Sequence, residues 1–403
     1  MTSLELRVNP IEGDNQSDRR VEMIAEITPV GRFRAKRRSR KLAITSGDAL
    51  QIDDLPTGAW QIKVTLPSGR RMIRDVTLKS RGAKSVQFDD VDVAPRRSRD
   101  PMSATRSSEL SFLSPNLATA RSLRPIGRIT KPRASVVELG GGGDPGRHSR
   151  WSAVTRLIGE PATNLGTPVS LSGSAAEGEW VISADDTVYY SPVRSALAVT
   201  TGNRTLLQSL PTPWDIFGED GVLTVSVSTA IDRLDVDVRV DEPGISGVIS
   251  YLANGSLQSA AELLEQSSTL NFSEMLRGKV SSPLRACAAA YVLVGASDLS
   301  RPAEWHRWLD NLASWFDTIP DGLIILARFR QLTGNREAAS QHLLDALARG
   351  LPHYTLGIVW LRDLMAMQTR DHPAHGYGEL VNRVASYVDV SKPFTCLRWQ
   401  SGR

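Results

Sequence analysis

At 403 residues the chain exceeds what one hydrophobic core organises, and 41% hydrophobic with 23% charged residues excludes a chain disordered throughout. No run approaches the roughly 20 apolar residues of a membrane span, and Met1–Arg7 lacks the apolar core of a secretory signal. A cytoplasmic protein with no membrane partner is expected. The two cysteines, Cys287 and Cys396, belong to no CxxC or Cys/His cluster, so neither a disulfide framework nor structural zinc is expected.

The net charge of +4 hides an asymmetry. Residues 1–150 carry 28 basic and 17 acidic side chains, and residues 151–403 carry 20 and 27. Such a split suits an anionic partner for the front, or attraction between front and back. Forty of the 48 basic residues are Arg, which GC-rich coding alone produces.

Residues 1–93 read as a small β domain. Trp60–Leu66 alternates apolar and polar side chains throughout, the pattern of a strand with one buried face, and is bounded by the turn residues Leu55-Pro56-Thr57-Gly58 and Pro67-Ser68-Gly69. Leu4–Val8, Val21–Ile27, Arg71–Leu78 and Ser85–Asp89 are further strand candidates, and about six short strands at this spacing suggest a sandwich. The order Asp53-Asp54-Leu55-Pro56-Thr57-Gly58-Ala59-Trp60, strand, Pro-Ser-Gly and Val76-Thr77-Leu78 resembles the carboxypeptidase-regulatory-like or transthyretin-like β-sandwich over roughly residues 20–90. That resemblance implies an accessory or binding module.

Within this domain Arg32, Arg34, Lys36, Arg37, Arg38, Arg40 and Lys41 form a run of seven cations without an anion, a candidate anion- or partner-binding site. Its charge suits phosphates, but Phe33 is its one aromatic, too little for a base-stacking platform, so a solvated basic loop is preferred to a nucleic-acid site.

Residues 94–150 read as a flexible linker rich in Arg, Pro, Gly and Ser. It holds six prolines and the run Gly140–Gly143, which lacks the Lys-Ser/Thr of a phosphate-binding loop. Arg97, Arg99, Arg121, Arg124, Arg133 and Arg150 are candidate cleavage positions there. Residues 151–243 read as a second β domain, clearest in Leu223–Ser228 and Leu234–Asp241, where Asp235, Asp237 and Asp241 share the outward face.

From Ile245 the period turns helical, and residues 244–390 are predicted to be all-α, followed by a tail over 391–403. Leu252–Ala261, Val294–Leu299 and Leu332–Ala339 resemble one another, the first and third like the helix-turn-helix joint of tetratricopeptide repeats, with a turning glycine and small alanines. The resemblance implies stacked helical hairpins but carries over no ligand-clamp residues. The fold class expected is therefore β plus α: two small β-sandwich-like domains, then a repeat-like helical domain.

No catalytic constellation stands out. Cys287 with His306 offers a thiol and an imidazole, but Arg285–Tyr291 has the composition of a packed helix interface. Asp371-His372-Pro373-Ala374-His375 falls short of a zinc ligand set. Trp305 and Trp308 share a stripe with Leu309 and Leu312, whereas Trp315 lies off it and is the candidate protein contact. The reading is a non-enzymatic adaptor with another protein, such as a protease or regulatory factor, as partner and no cofactor. The alternatives are a regulated protease substrate or inhibitor cut in the Arg-rich linker, and an unfamiliar enzyme. The whole arrangement also resembles uncharacterised bacterial proteins that accompany caspase-like proteases in defence or signalling systems.

Overall fold

The computed structural model describes residues 2–9, 21–30, 39–67, 70–79, 82–89, 131–139, 149–158, 166–174, 178–182, 195–212, 214, 223–229, 234–240, 242–267, 270–299 and 303–400. Strands dominate up to Val240 and helices from Pro243 to Ala385. The chain divides into two compact units: Met1–Pro101 with Glu242–Glu274, and Met102–Asp241 with Met275–Arg403. No helix among the described residues is long and apolar enough to cross a membrane.

The first unit begins with β1 (Thr2–Val8), β2 (Glu22–Pro29), β3 (Arg40–Thr45), β4 (Ala49–Ile52), β5 (Gly58–Thr65), β6 (Arg71–Leu78) and β7 (Gly82–Phe88). They form sheets of order β4-β1-β7 and β3-β2-β5-β6, with β1 parallel to β7 and the other pairs antiparallel. Leu4 and Leu6 of β1, Met23 and Ile27 of β2, Trp60 and Ile62 of β5 and Phe88 of β7 share one core. The Trp60 indole N–H satisfies itself on the Pro56 carbonyl at 2.8 Å, anchoring the turn that opens β5. Arg40 and Lys41 are a correction to the loop expected there: both lie in β3, paired in register with Ile27 and Glu26.

The strands of the second unit are β8 (Arg133–Glu138), β9 (Thr167–Val169), β10 (Leu171–Ser174), β11 (Glu179–Ile182), β12 (Ser195–Thr201), β13 (Arg204–Ser209), β14 (Leu223–Ser228) and β15 (Asp235–Val240), with helix α1 (Ser149–Leu157) between β8 and β9. Strands β10-β11-β14-β15 form one sheet. The linker expected over 94–150 needs correction where it is described. Val136 and Val137 of β8 pair in register with Leu197 and Ala196 of β12, and α1 docks through Trp151, whose indole N–H donates to the Leu347 carbonyl at 2.8 Å. Helix α1 is also the described exception to a strand-only front.

Helices α2 (Pro243–Ala253) and α3 (Leu257–Gln266) return the chain to the first unit. The Tyr251 hydroxyl donates to the Thr65 carbonyl at 2.6 Å, and Lys41 meets Glu262 at 2.7 Å, so this hairpin covers the outer face of the β2-containing sheet. The helical stretch expected over 244–390 is thus divided, because residues 244–274 find their apolar partner on the first sandwich. Beyond them come α4 (Phe272–Arg277), a 3-10 turn (Gly278–Val280), α5 (Pro283–Ala296), α6 (His306–Trp315), α7 (Pro320–Leu332), α8 (Arg336–Arg349), α9 (Thr355–Ala366), a 3-10 turn (Pro373–Tyr377) and α10 (Gly378–Ala385). Gly255 and Gly334, at φ +65° and +85°, make the α2–α3 and α7–α8 joints, a backbone conformation open to glycine.

The expected tail over 391–403 contains β16 (Cys396–Gln400), which pairs antiparallel with β13 and completes the sheet β16-β13-β12-β8-β9. Arg398 on this strand binds Asp389 at 2.6 Å, and both Arg398 and Lys392 bind Asp235, which opens β15. Asp235 is therefore a half-buried, doubly paired anchor, not the free outward charge expected of it. Asp241 lies outside the described residues.

Candidate docking face of the helical region

Helix α6 has the sequence HRWLDNLASW, in which Leu309, Leu312 and Ala313 are buried and set its inner stripe. Arg330 of α7 binds Asp310 at 2.6 Å, and α7 starts so close to α6 that a Cβ on Gly322 would lie 2.7 Å from the Leu312 carbonyl oxygen. The last carbonyls of a helix lack intrahelical partners. Here Arg349 serves one of them and two carbonyls just beyond the helix: its Nη1 donates to Ala313, Phe316 and Ile319 at 2.9, 2.8 and 3.2 Å. The end of α6 that carries Trp315 is therefore fixed.

Trp308 and Trp315 stand seven residues apart, two helical turns, and so share a face about 10 Å long. Each has a cation over its ring, both supplied by the segment that precedes α5. The Arg277 guanidinium lies 5.3 Å from the Trp308 ring centroid, and Lys279 Nζ lies 5.0 Å from that of Trp315. Trp315 is 56% exposed, as expected of a residue off the core stripe, and Val280 is 52% exposed. Trp305 and Trp308 are half-buried at the stripe's margin. The spacing of the two tryptophans is visible in the sequence. Their cations are not, because they lie some thirty residues upstream and reach the rings only through the fold.

Behind this face is a buried polar centre. Asp321, in the first turn of α7, accepts from the Tyr291 hydroxyl at 2.9 Å and from the backbone N–H groups of His353 and Tyr354 at 2.8 and 3.1 Å. One carboxyl group thus ties α5, α7 and the α8–α9 connection together. Cys287 is buried nearby, and burial, reinforced by Asp321, pushes its thiol well above the ordinary range. A nucleophilic cysteine needs the opposite shift. His306, proposed from sequence as its base, instead packs its ring against Trp305 and Phe329, and burial followed by the charge of Arg330 lowers its pKa.

His372 uses Nδ1 to accept from the Ala374 N–H, capping a 3-10 turn, and no group of three or more His, Cys, Asp or Glu among the described residues is placed to hold a metal. Of the basic run, Arg32, Arg34, Lys36, Arg37 and Arg38 lie outside the described residues; Arg40 is exposed and Lys41 is committed to Glu262. Arg97, Arg99, Arg121 and Arg124 also lie outside them. Arg133 and Arg150 are corrections to the cleavage positions: Arg133 is paired within the sheet, and Arg150 is helical with Nη1 on the Arg349 carbonyl at 3.1 Å. A protease needs an unpaired segment that can enter its cleft, and neither position offers one.

Residues 247–398 match the family model of the Y4kD C-terminal domain, less than half of the chain. The match opens inside α2 and closes within β16, so it includes the whole docking face. No curated protein and no solved structure matches the chain.

Proposed function

We propose that this chain is a non-enzymatic protein-interaction adaptor whose helical region docks a partner protein on the Trp308–Trp315 face. The observation that carries the reading is Trp315: a large aromatic side chain, more than half exposed on a helix end held rigid by Arg349, with a cation over its ring. Tryptophan and arginine dominate the energetics of interfaces, and a pre-organised anchor spares the ordering cost of binding. The first unit's β-sandwich, by its resemblance to accessory binding modules, supports a second docking role at the front of the chain. A protease or regulatory factor of a bacterial defence system, acting in the cytoplasm, is the kind of partner that the overall resemblance favours.

Site-specific photo-crosslinking in the native host tests the reading. A benzophenone side chain placed at 315 or 280 is expected to give a discrete adduct with another polypeptide, and one placed at Ile73, exposed on β6, is not. Adducts identical at all three positions, or none at 315 and 280, would overturn it.

A further inference from the structure

The chemistry of the partner is written in Lys279. Its residue surface is only 6% exposed, yet among the described residues its ammonium has one hydrogen-bond acceptor, the Leu276 carbonyl at 3.4 Å, longer than an ordinary N–H···O bond. An ammonium carries three donors. No carboxylate among the described residues pairs with it, and burial lowers its pKa. The cation's other neighbour is the ring of Trp315, whose face attracts it but accepts no full hydrogen bond. Two turns along, Arg277 repeats the arrangement over Trp308, and its one carboxylate among the described residues, Glu304, is 3.9 Å away with both side chains largely exposed. The face therefore pairs two apolar rings with two cations that are under-neutralised.

We propose that this face takes an acidic segment of the partner protein, one carboxylate seating on the Lys279 ammonium while an adjoining apolar side chain lies across Trp315 and Val280. The inference rests on the docking reading above and narrows it to one partner chemistry. Charge complementarity selects the occupant: a basic segment would be repelled, and a neutral apolar one would leave the ammonium desolvated and unpaired, the costly arrangement for a buried charge. A carboxylate supplies the missing acceptors through charge-assisted bonds.

A phage-displayed library of random dodecapeptides, panned on the full chain with counter-selection on Trp315→Ala, tests this. Enriched peptides should combine Asp or Glu with an apolar residue, release as salt rises, and bind at least tenfold more weakly to Lys279→Gln while Lys279→Arg retains them. Because Lys279→Gln removes a partly desolvated ammonium, its thermal midpoint should not fall. Should that variant nevertheless misfold, the exposed Arg277→Gln carries the test, with a severalfold loss expected. Neutral or basic peptides that still require Trp315 would overturn the acidic partner and leave the docking reading standing. Enrichment indifferent to Trp315, or no enrichment, would overturn both. Self-association of the chain that Trp315→Ala abolishes would replace the acidic partner with a second copy.

Discussion

Glu22 shows how far one residue's environment departs from what its sequence neighbours suggest. Along β2 the alternation places Val21, Met23, Ala25 and Ile27 inward and leaves Glu22, Ile24 and Glu26 outward, and the apolar Ile24 is the only sign that the outer face is covered. Helices α2 and α3 cover it, leaving Ile24 3% and Glu22 9% exposed, with Glu22 Oε2 lacking a hydrogen-bond partner among the described residues. Burial raises the Glu22 pKa, and a hydrogen bond with Ser267 only partly offsets that. The folded chain then holds this proton to higher pH than the unfolded chain does. Stability is fullest below the ordinary value near 4.5 and declines as pH rises through the raised folded value. Glu22→Gln is expected to remove that decline and to raise the urea midpoint of the first unit at neutral pH, as followed by circular dichroism. An unchanged or lowered midpoint at neutral pH would show that the carboxylate is satisfied when charged.

Elements were legible wherever one face is wet. Strands β5, β14 and β15 alternate in sequence and in burial, β6 does so except at Ile73 and Arg74, and the expected bounds of all four hold to within about two residues. Strand β12, SALAVTT, is buried on both faces for six of its seven residues, and β13 for five of six, so neither shows a period of two. Five-residue β16 is too short to signal itself, and its partners define it: β13 on one edge and the bridge from Val388 to Leu397 on the other. The docking face was half legible, because helical spacing separated Trp315 from the core stripe but could not supply Arg277 and Lys279. At β16 the cluster around Arg398 decides stability. Burial pushes Asp389 up, but the Arg398 guanidinium and bonds from Ser391 outweigh it and hold the carboxyl below its usual range. Arg398→Ala would take the guanidinium from Asp389, leave Asp235 to Lys392 alone and remove the bond to the Leu234 carbonyl at 2.6 Å, at a cost of roughly 3 kcal/mol. Hydrogen exchange should show β16 amides opening first; protection equal to the unaltered chain's would exclude the cluster as the lock.

The whole molecule is interleaved, and this was not legible, since contacts between distant segments leave no local period. A cut at Arg150 or Gly244 severs what the fold keeps together. Lys41 and Glu262, which fall in the basic front and the acidic back of the sequence, meet inside the first unit. Residues 1–101 alone should therefore expose the outer sheet face around Ile24 and bind a hydrophobic dye. The same residues joined by a flexible linker to 242–274 should melt cooperatively as a monomer. If 1–101 alone melts as sharply and binds no dye, the helical hairpin is dispensable to that core.

The same interleaving sets a timetable for the nascent chain. A ribosome completes β7 long before it reaches Tyr251, and at the usual 5–20 residues per second the stretch between Pro101 and Glu242 takes on the order of ten seconds. During that interval the first sandwich waits with an uncovered apolar face while β8 to β15 emerge, and β13 waits longer still for β16. Newly made chains are thus most exposed to misassembly before Gln400 has been added, and a holdase that shields an open sheet should matter more to this protein's yield than one that assists helix formation.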